Sequence, residues 1–210
     1  MLHILIADDH EIVRRGLQQI ISEEEGMNVV AEAASAHEVR EQLKKHRIDV
    51  LTLDLSMPGT TGVQLIDEIV ALKKPPAIIV LSVHSEEHYG VRALKAGAAG
   101  FMNKEAAPQE LVAAIRKVAE GGKYITPALA EKLAQTISRG AKSMPHEDLS
   151  DREFEVLRLL ASGKTVTEIA GHLHLSPKSI STYRTRILNK MNLKTNAELT
   201  HYAFKYGIVQ

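Results

Sequence analysis

The chain has 210 residues, of which 44% are hydrophobic and 25% charged, and its formal net charge is zero. This length predicts two domains of roughly 100 residues each. The absence of cysteine excludes disulfides, thiolate metal sites and cysteine nucleophiles. No apolar run approaches the ~18–20 residues of a membrane span, and carboxylates appear too early for a secretion signal. We therefore expect a cytoplasmic protein that does not contact a membrane.

The zero net charge conceals an uneven distribution. Residues 1–120 contain 13 basic and 18 acidic residues, a balance of −5, whereas residues 121–210 contain 13 basic and 8 acidic residues, a balance of +5. Such an asymmetry indicates that one half meets a polyanion. The alternative is two separately soluble surfaces, and charge alone does not decide between the two interpretations.

Short apolar segments alternate with amphipathic ones over the first 120 residues. The apolar segments predict strands at residues 3–8, 28–33, 49–54, 77–82 and 99–103. The amphipathic segments predict helices at residues 12–22, 37–46, 62–73, 86–96 and 108–120. Three of the strands are continuously apolar, as in a parallel sheet that is covered on both faces. We predict a flavodoxin-like, doubly wound α/β domain with a five-stranded parallel sheet.

The rest of the chain predicts a linker and a small all-α domain. Ser150, Thr165 and Thr195 each stand three residues before a glutamate, as in a capping box, and Ser176-Pro177 marks another helix start. The middle two of these four helices are about four residues apart, which predicts a helix-turn-helix. The predicted limits are residues 1–121 for the α/β domain, 122–148 for a linker with a short helix, and 149–210 for the helix-turn-helix domain.

Three carboxylates are expected to meet at one edge of the predicted sheet. Asp8 and Asp9 follow the first strand and Asp54 ends the third, and these strands are neighbours if the strand order is 2-1-3-4-5. Because clustered carboxylates repel one another, we expect a bound cation, and an all-oxygen ligand set favours Mg²⁺. Ser82 and Lys104 follow the fourth and fifth strands and would add a hydroxyl and an ammonium group. This combination suits phosphoryl transfer with Asp54 as the nucleophile.

The same residues resemble the signature of response-regulator receiver domains. The matching segments are Ala7-Asp8-Asp9-His10, Leu53-Asp54-Leu55-Ser56-Met57-Pro58-Gly59, Leu81-Ser82 and Gly100-Phe101-Met102-Asn103-Lys104. By this resemblance a sensor histidine kinase phosphorylates Asp54. Mg²⁺ would be bound by Asp9, Asp54 and the backbone carbonyl of Ser56, with Asp8 helping through water. Ser82 and Phe101 would form a switch in which the hydroxyl moves to the phosphate and the ring turns inward.

The stretch from Ser176 to Asn196 contains five basic residues and no acidic ones, which is typical of a DNA-binding helix. On a helical wheel one face is apolar, and the opposite face carries hydroxyl and amide groups that can read base edges, while basic groups hold phosphates. The predicted DNA contacts are Lys178, Ser181, Thr182, Thr185, Arg186, Asn189 and Lys190. Arg184 falls nearer the apolar side and is predicted to be partly buried. The alternative is a solvated face in a protein-interaction module.

Residues 149–208 resemble the LuxR-type helix-turn-helix, through residues 149–153, 167–170 and 187–191 and through Ser176. Joined to a receiver, this module makes the chain similar to the NarL/FixJ family of transcriptional regulators. The resemblance implies binding to double-stranded DNA and a homodimer in the phosphorylated state, with residues 198–205 as a dimer contact. The basic residue that many members have at the position of Ser181 is absent, so base readout is not carried over there.

Three functions are compatible with these residues. The leading hypothesis is a transcription factor controlled by phosphorylation of Asp54, with slow self-hydrolysis and no turnover of a separate substrate. A phosphatase with an aspartate nucleophile would also use Asp54 and Mg²⁺, but Ser56 stands where such an enzyme needs a second carboxylate. A receiver that only scaffolds a constitutive DNA binder is the third hypothesis, and it would leave the acidic cluster without a use.

Overall fold

The computed structural model describes residues 1–57, 62–83, 86–104, 106, 108–138 and 144–209. The chain divides into two compact units, Met1–Gly140 and Ala141–Gln210, which we call the first and the second unit. The predicted domain limits at residues 121 and 149 stay a prediction. Within the described part of the chain, no helix has the length and apolar character needed to cross a membrane.

The first unit is built on a five-stranded parallel sheet with the order β2-β1-β3-β4-β5, which confirms the predicted topology. Its strands are β1 (Leu2–Ala7), β2 (Met27–Ala33), β3 (Val50–Asp54), β4 (Ala77–Ser82) and β5 (Gly100–Asn103). Its helices are α1 (Glu11–Ser22), α2 (Ala36–Lys45), α3 (Gly62–Val70), α4 (Glu86–Lys95), α5 (Pro108–Ala119) and α6 (Pro127–Ser138).

One predicted helix is too long. Helix α3 ends at Val70 and not at residue 73. After it the chain tightens, because the amide of Leu72 bonds to the carbonyl of Ile69 at 3.0 Å, a three-residue turn. The prolines at residues 75 and 76 then keep the helix from resuming, because Lys74, the residue before a proline, disfavours the helical conformation.

The core of the first unit fixes where the strands end. All five residues of β3 are buried, and the apolar side chains of the sheet pack against the buried face of α5. Strands β1 and β3 pair in register, so that Ala7 lies opposite Leu53. The residues that follow, Asp8 and Asp54, therefore emerge side by side at the carboxyl edge. Burial of the apolar segments supplies the driving force that holds this edge together.

The segment after α5 covers the outer edge of β5. Tyr124 forms a parallel bridge with Gly100, and its amide donates to the carbonyl of Ala99 at 2.9 Å. Helix α6 then packs on α4, where Leu129 is almost completely buried. A Cβ atom on Gly90 of α4 would lie 2.9 Å from both δ-methyl groups of Leu129, so the Leu129 side chain would have to shift to admit a larger residue. The sequence predicted this helix but not its packing.

The second unit contains no strand among its described residues. It comprises a 3₁₀ helix (Pro145–Asp148), which falls in the predicted linker, and then α7 (Asp151–Ala161), α8 (Val166–His172), α9 (Pro177–Lys190) and α10 (Asn196–Lys205). The capping boxes at Ser150 and Thr165 are complete, as predicted. The third predicted box is only half formed. Thr195 caps the amide of Glu198, but the Glu198 carboxylate accepts from the amide of Lys194, one residue earlier than a box requires.

Candidate functional site

An ammonium group joins two buried carboxylates at the carboxyl edge of the sheet. The Nζ atom of Lys104 lies 2.6 Å from Oδ2 of Asp8 and 2.8 Å from Oδ2 of Asp54. The side chains of Asp8 and Asp54 are only 1% and 2% exposed. The other oxygen of Asp54, Oδ1, accepts a hydrogen bond of 3.1 Å from the amide of Ser56. The structure thus brings together residues from the ends of three strands, as the sequence predicted.

Burial and charge act in opposite directions at this site. Burial raises the pKa of the Asp54 carboxyl, although the hydrogen bond and charge of Lys104 and the Ser56 amide oppose the rise. Burial by itself lowers the pKa of the Lys104 ammonium, but its hydrogen bonds to Asp54 and Asp8 outweigh that effect and the net pKa is raised. Lys104 therefore remains protonated at neutral pH, where it holds the buried carboxylates together.

The acidic cluster has the composition of a divalent metal site. Asp8, Asp9, His10 and Asp54 each place one potential ligand atom within 4.8 Å of the others. Asp9 is the more accessible of the three carboxylates, with its side chain 33% exposed. Three carboxylates against the single ammonium of Lys104 leave an excess of negative charge, which a divalent cation would neutralise. Carboxylate oxygens are hard ligands, and they suit such an ion.

Two residues at this site were missed in the sequence. The amide of His10 donates to Oδ1 of Asp8 at 2.8 Å, and its ring Nδ1 lies 2.8 Å from Oδ1 of Asp9. Arg14, in the second turn of α1, donates from Nη1 to the backbone carbonyl of Asp8 at 2.8 Å and from Nε to Glu32 at 3.1 Å. Position directly after the Asp pair was the only signal for His10. An arginine on an amphipathic helix gives no signal, because it normally faces water.

The predicted switch residues lie inside the first unit. Ser82, at the end of β4, and Phe101, in β5, are both completely buried. Ser82 pairs with Asn103 across the two strands, and its carbonyl accepts from the amide of Lys104 at 3.0 Å. The backbone thus links Ser82 directly to the residue that holds the carboxylates. The ring of Phe101 already occupies the inward position that the switch hypothesis assigns to one of its two states.

Helix α9 of the second unit presents the face that was predicted to contact DNA. Its apolar residues Ile180 and Ile187 are buried, whereas the predicted contacts are exposed. These exposed residues are Lys178, Ser181, Thr182, Thr185, Arg186, Asn189 and Lys190. Arg184 is partly buried, as expected, and its Nε donates to Oδ1 of Asn196 at 2.6 Å. Four residues separate α8 from α9, as predicted for a helix-turn-helix.

Lys190 has a partner within the second unit. Its ammonium lies 2.7 Å from Oε2 of Glu153, a carboxylate that is almost completely buried and also accepts from the amide of Ser150. Burial opposes ionisation of Glu153, but the hydrogen bonds from Lys190 and Ser150 prevail and lower its pKa. Lys190 therefore ties α9 to the start of α7. A role in DNA contact stays a prediction for this residue, whose side chain is 44% exposed.

The sequence matches two known families, the response regulator receiver domain over residues 4–116 and the bacterial regulatory proteins of the luxR family over residues 147–203. It is similar to the response regulator UvrY of Escherichia coli (strain K12), with 37% identity over 209 residues that cover 99% of this chain and 96% of UvrY. It is also similar to the transcriptional regulatory protein UhpA of Salmonella typhimurium, with 39% identity covering 97% of this chain and 98% of UhpA.

Among solved structures, the chain is similar to RcsB from Salmonella enterica serovar Typhimurium bound to a promoter in the presence of phosphomimetic BeF₃⁻. The identity is 33% and the TM-score 0.61, and the match covers 96% of this chain and 97% of the RcsB chain. Both units thus have relatives, joined in the same order within single proteins. The chain belongs to the NarL/FixJ family of response regulators, in which a receiver domain precedes a LuxR-type helix-turn-helix.

Proposed function

We propose that this protein is a DNA-binding transcriptional regulator that a sensor histidine kinase controls by phosphorylating Asp54. The observation that carries this proposal is the Lys104 ammonium held between the carboxylates of Asp8 and Asp54. Family membership and the exposed basic face of α9 support the DNA-binding part. The structure of RcsB with a promoter supports double-stranded DNA as the partner.

In the proposed reaction, a carboxylate oxygen of Asp54 attacks the phosphorus atom of a phosphohistidine on the kinase. The new P–O bond forms as the P–N bond breaks, and the electron pair leaves with the imidazole nitrogen, which then takes up a proton from water. Ser56 holds one carboxylate oxygen through its amide. Lys104 is already in place to pair with a phosphoryl oxygen once the phosphoryl group is attached.

We propose Mg²⁺ as the cofactor of this site, held by Asp8, Asp9, Asp54 and the backbone carbonyl of Ser56. When bound, it supplies positive charge that neutralises the phosphoryl oxygens. The all-oxygen set of carboxylates and carbonyl favours Mg²⁺ over softer ions.

The same site would pass the signal on through its buried switch residues. In the phosphorylated state the hydroxyl of Ser82 would donate to a phosphoryl oxygen, and the ring of Phe101 would be held in its inward position. Phosphorylation would thereby favour one of two conformations of the receiver. That conformation would form a homodimer, whose two helix-turn-helix modules bind paired half-sites on DNA.

We also propose domain limits, a slow hydrolysis of the phosphoryl group and a cellular location. We assign residues 1–121 to the receiver, 122–148 to the linker and 149–210 to the DNA-binding domain; the grouping of α6 with the first unit indicates that part of the linker is docked. The phosphoryl group on Asp54 would be hydrolysed slowly, without turnover of a separate substrate. As a DNA-binding protein, the chain would act in the cytoplasm, beside the bacterial chromosome.

The test is to incubate the protein with a small acyl phosphate and Mg²⁺. Intact-protein mass spectrometry would follow incorporation of one phosphoryl group, and light scattering and DNA binding would be measured on the same sample. Asp54→Asn should abolish incorporation and the gain in DNA affinity, whereas Asp67→Asn, an exposed carboxylate on α3, should behave like the wild type. Equal activation of the Asp54→Asn variant would refute the proposal.

A further inference from the structure

The exposed hydroxyl groups of α9 are committed to hydrogen bonds within the helix. The hydroxyl of Ser181 donates to the carbonyl of Pro177 at 3.0 Å, that of Thr182 to Lys178 at 3.0 Å, and that of Thr185 to Ser181 at 3.1 Å. All three side chains are nevertheless exposed, Thr182 and Thr185 on the face of α9 opposite the buried Ile180 and Ile187, and Ser181 beside that face. The lone pairs of the three hydroxyl oxygens are thus accessible to a ligand, although their hydrogens are donated to backbone carbonyls of the helix.

A hydroxyl group has one hydrogen to donate and two lone pairs that accept. While its hydrogen is donated within the helix, each oxygen offers only acceptor capacity to a ligand. In the bonded conformation each threonine occupies one of the two χ1 rotamers that are open to it in a helix. In this rotamer Thr182 and Thr185 each present an acceptor oxygen and a methyl group to a ligand.

An acceptor of this kind discriminates between the base edges in the major groove of DNA. The hydrogen-bond donors of the groove are the exocyclic amino groups of adenine and cytosine, whereas guanine offers two acceptors there and thymine offers an acceptor and a methyl group. An acceptor-only oxygen matches adenine N6 and cytosine N4, and it repels the edge of guanine. An A·T pair satisfies both parts of a threonine, because its amino group faces the oxygen and its methyl group can pack against the γ-methyl.

We propose that Ser181, Thr182 and Thr185 read DNA as acceptors of the amino group that adenine or cytosine presents in the major groove, with A·T pairs preferred opposite the two threonines. This inference rests on the proposed DNA-binding function of the second unit. The exposed cations on the same helix, Lys178 and Arg186, are left to hold phosphates, which position the helix without reading sequence. The helix thereby gains specificity from neutral groups and affinity from charged ones.

The proposal is tested with the full-length, phosphorylated protein. Binding sites are first selected from random duplexes, and each adenine of the selected site is then replaced by purine, which lacks the amino group, or each thymine by uracil, which lacks the methyl group. These duplexes are titrated with the wild type and with Thr185→Val and Thr182→Val, which remove the hydroxyl while keeping the shape of the side chain.

We expect purine at a contacted adenine to lower the affinity for DNA by about three- to tenfold, which corresponds to the loss of one hydrogen bond. The same loss should appear in the matching Thr→Val variant, and the two changes together should cost no more than one alone. Ser162→Ala is the matched control, because its hydroxyl makes the same kind of bond, to the carbonyl of Arg158, but lies at the end of α7. It should leave affinity and selectivity unchanged.

The outcomes separate this inference from the proposed function. If purine costs no affinity at any adenine of the selected site, or if Thr→Val and purine substitutions are additive at every position, the acceptor readout is refuted while DNA binding stands. If the protein does not bind DNA in a salt-dependent manner at all, both the proposed function and the readout are refuted.

Discussion

Replacing Lys104 by methionine tests the electrostatic balance of the phosphorylation site. The substitution keeps an unbranched side chain of similar length but removes the ammonium that lies 2.6 Å and 2.8 Å from the oxygens of Asp8 and Asp54. Both carboxylates are almost fully buried and would then face each other without a cation. Removing one partner of a buried ion pair costs about 3–5 kcal/mol, because an uncompensated charge is left in the interior. We expect the first unit to lose about that much stability at neutral pH.

The loss should depend on pH in a defined direction. Burial already raises the pKa of Asp54, and removal of Lys104 would raise it further. Because the pKa of Asp54 is raised, the folded state binds its proton more tightly than the unfolded chain does. The free energy of unfolding therefore falls as the pH rises above the unfolded pKa of about 4, where Asp54 begins to ionise. The difference between variant and wild type should therefore be small near that pH and complete above the folded pKa.

Hydrogen exchange of the amides of β1 and β3 measures this stability for the first unit alone. The matched control is Lys73→Met, an exposed lysine between α3 and β4, which should leave exchange unchanged. Added Mg²⁺ should restore protection in Lys104→Met more than in the wild type, because the variant site carries one more net negative charge. Unchanged exchange in Lys104→Met at pH above neutrality, or a loss that does not diminish on acidification, would refute this electrostatic account.

Two further substitutions test packing and charge elsewhere. Glu153→Gln should destabilise the second unit by about 1–3 kcal/mol, because it removes the charged partner of Lys190. Folding lowers the pKa of Glu153. Its contribution to the free energy of unfolding is therefore present above the unfolded pKa and is lost as the pH falls through the folded pKa. Urea midpoints measured against pH should show this loss for the wild type but not for the variant. Gly90→Ala should speed hydrogen exchange of α6, because the added Cβ would lie 2.9 Å from the methyl groups of Leu129. Adding Leu129→Ala to the same chain should remove that clash. Exchange as slow in Gly90→Ala as in the wild type would contradict this packing.

The fold was largely predictable because its signals are local. Apolar segments identified every strand to within two residues, and three of them, including β3, are continuous because a parallel sheet is buried on both faces. The capping boxes at Ser150 and Thr165 likewise identified helix starts. The failures arose where another contact competed. At the start of α10, the carboxylate of Glu198 accepts from the amide of Lys194 and not from that of the N-cap residue Thr195. Helix α3 ends at Val70, before the two prolines.

The site was predictable to the extent that strand order was. Once β1 and β3 are neighbours, Asp8 and Asp54 must emerge together, and Lys104 follows a strand on the same edge. Arg14 could not be found in this way. It reaches the carbonyl of Asp8 from a helix and is paired with Glu32 from a different strand, so no sequence spacing relates the three residues.

The hydroxyl groups of α9 mark a different limit of sequence reasoning. A threonine on an exposed helix face is a donor and an acceptor by composition, and the sequence therefore predicts only that Thr182 and Thr185 can read bases in general. The bonds to Lys178 and Ser181 remove the donor, and they depend on a χ1 rotamer that no periodicity specifies. The residue types thus set which groups the helix could recognise, whereas the side-chain geometry limits the hydroxyl groups to the amino groups of adenine and cytosine in the major groove.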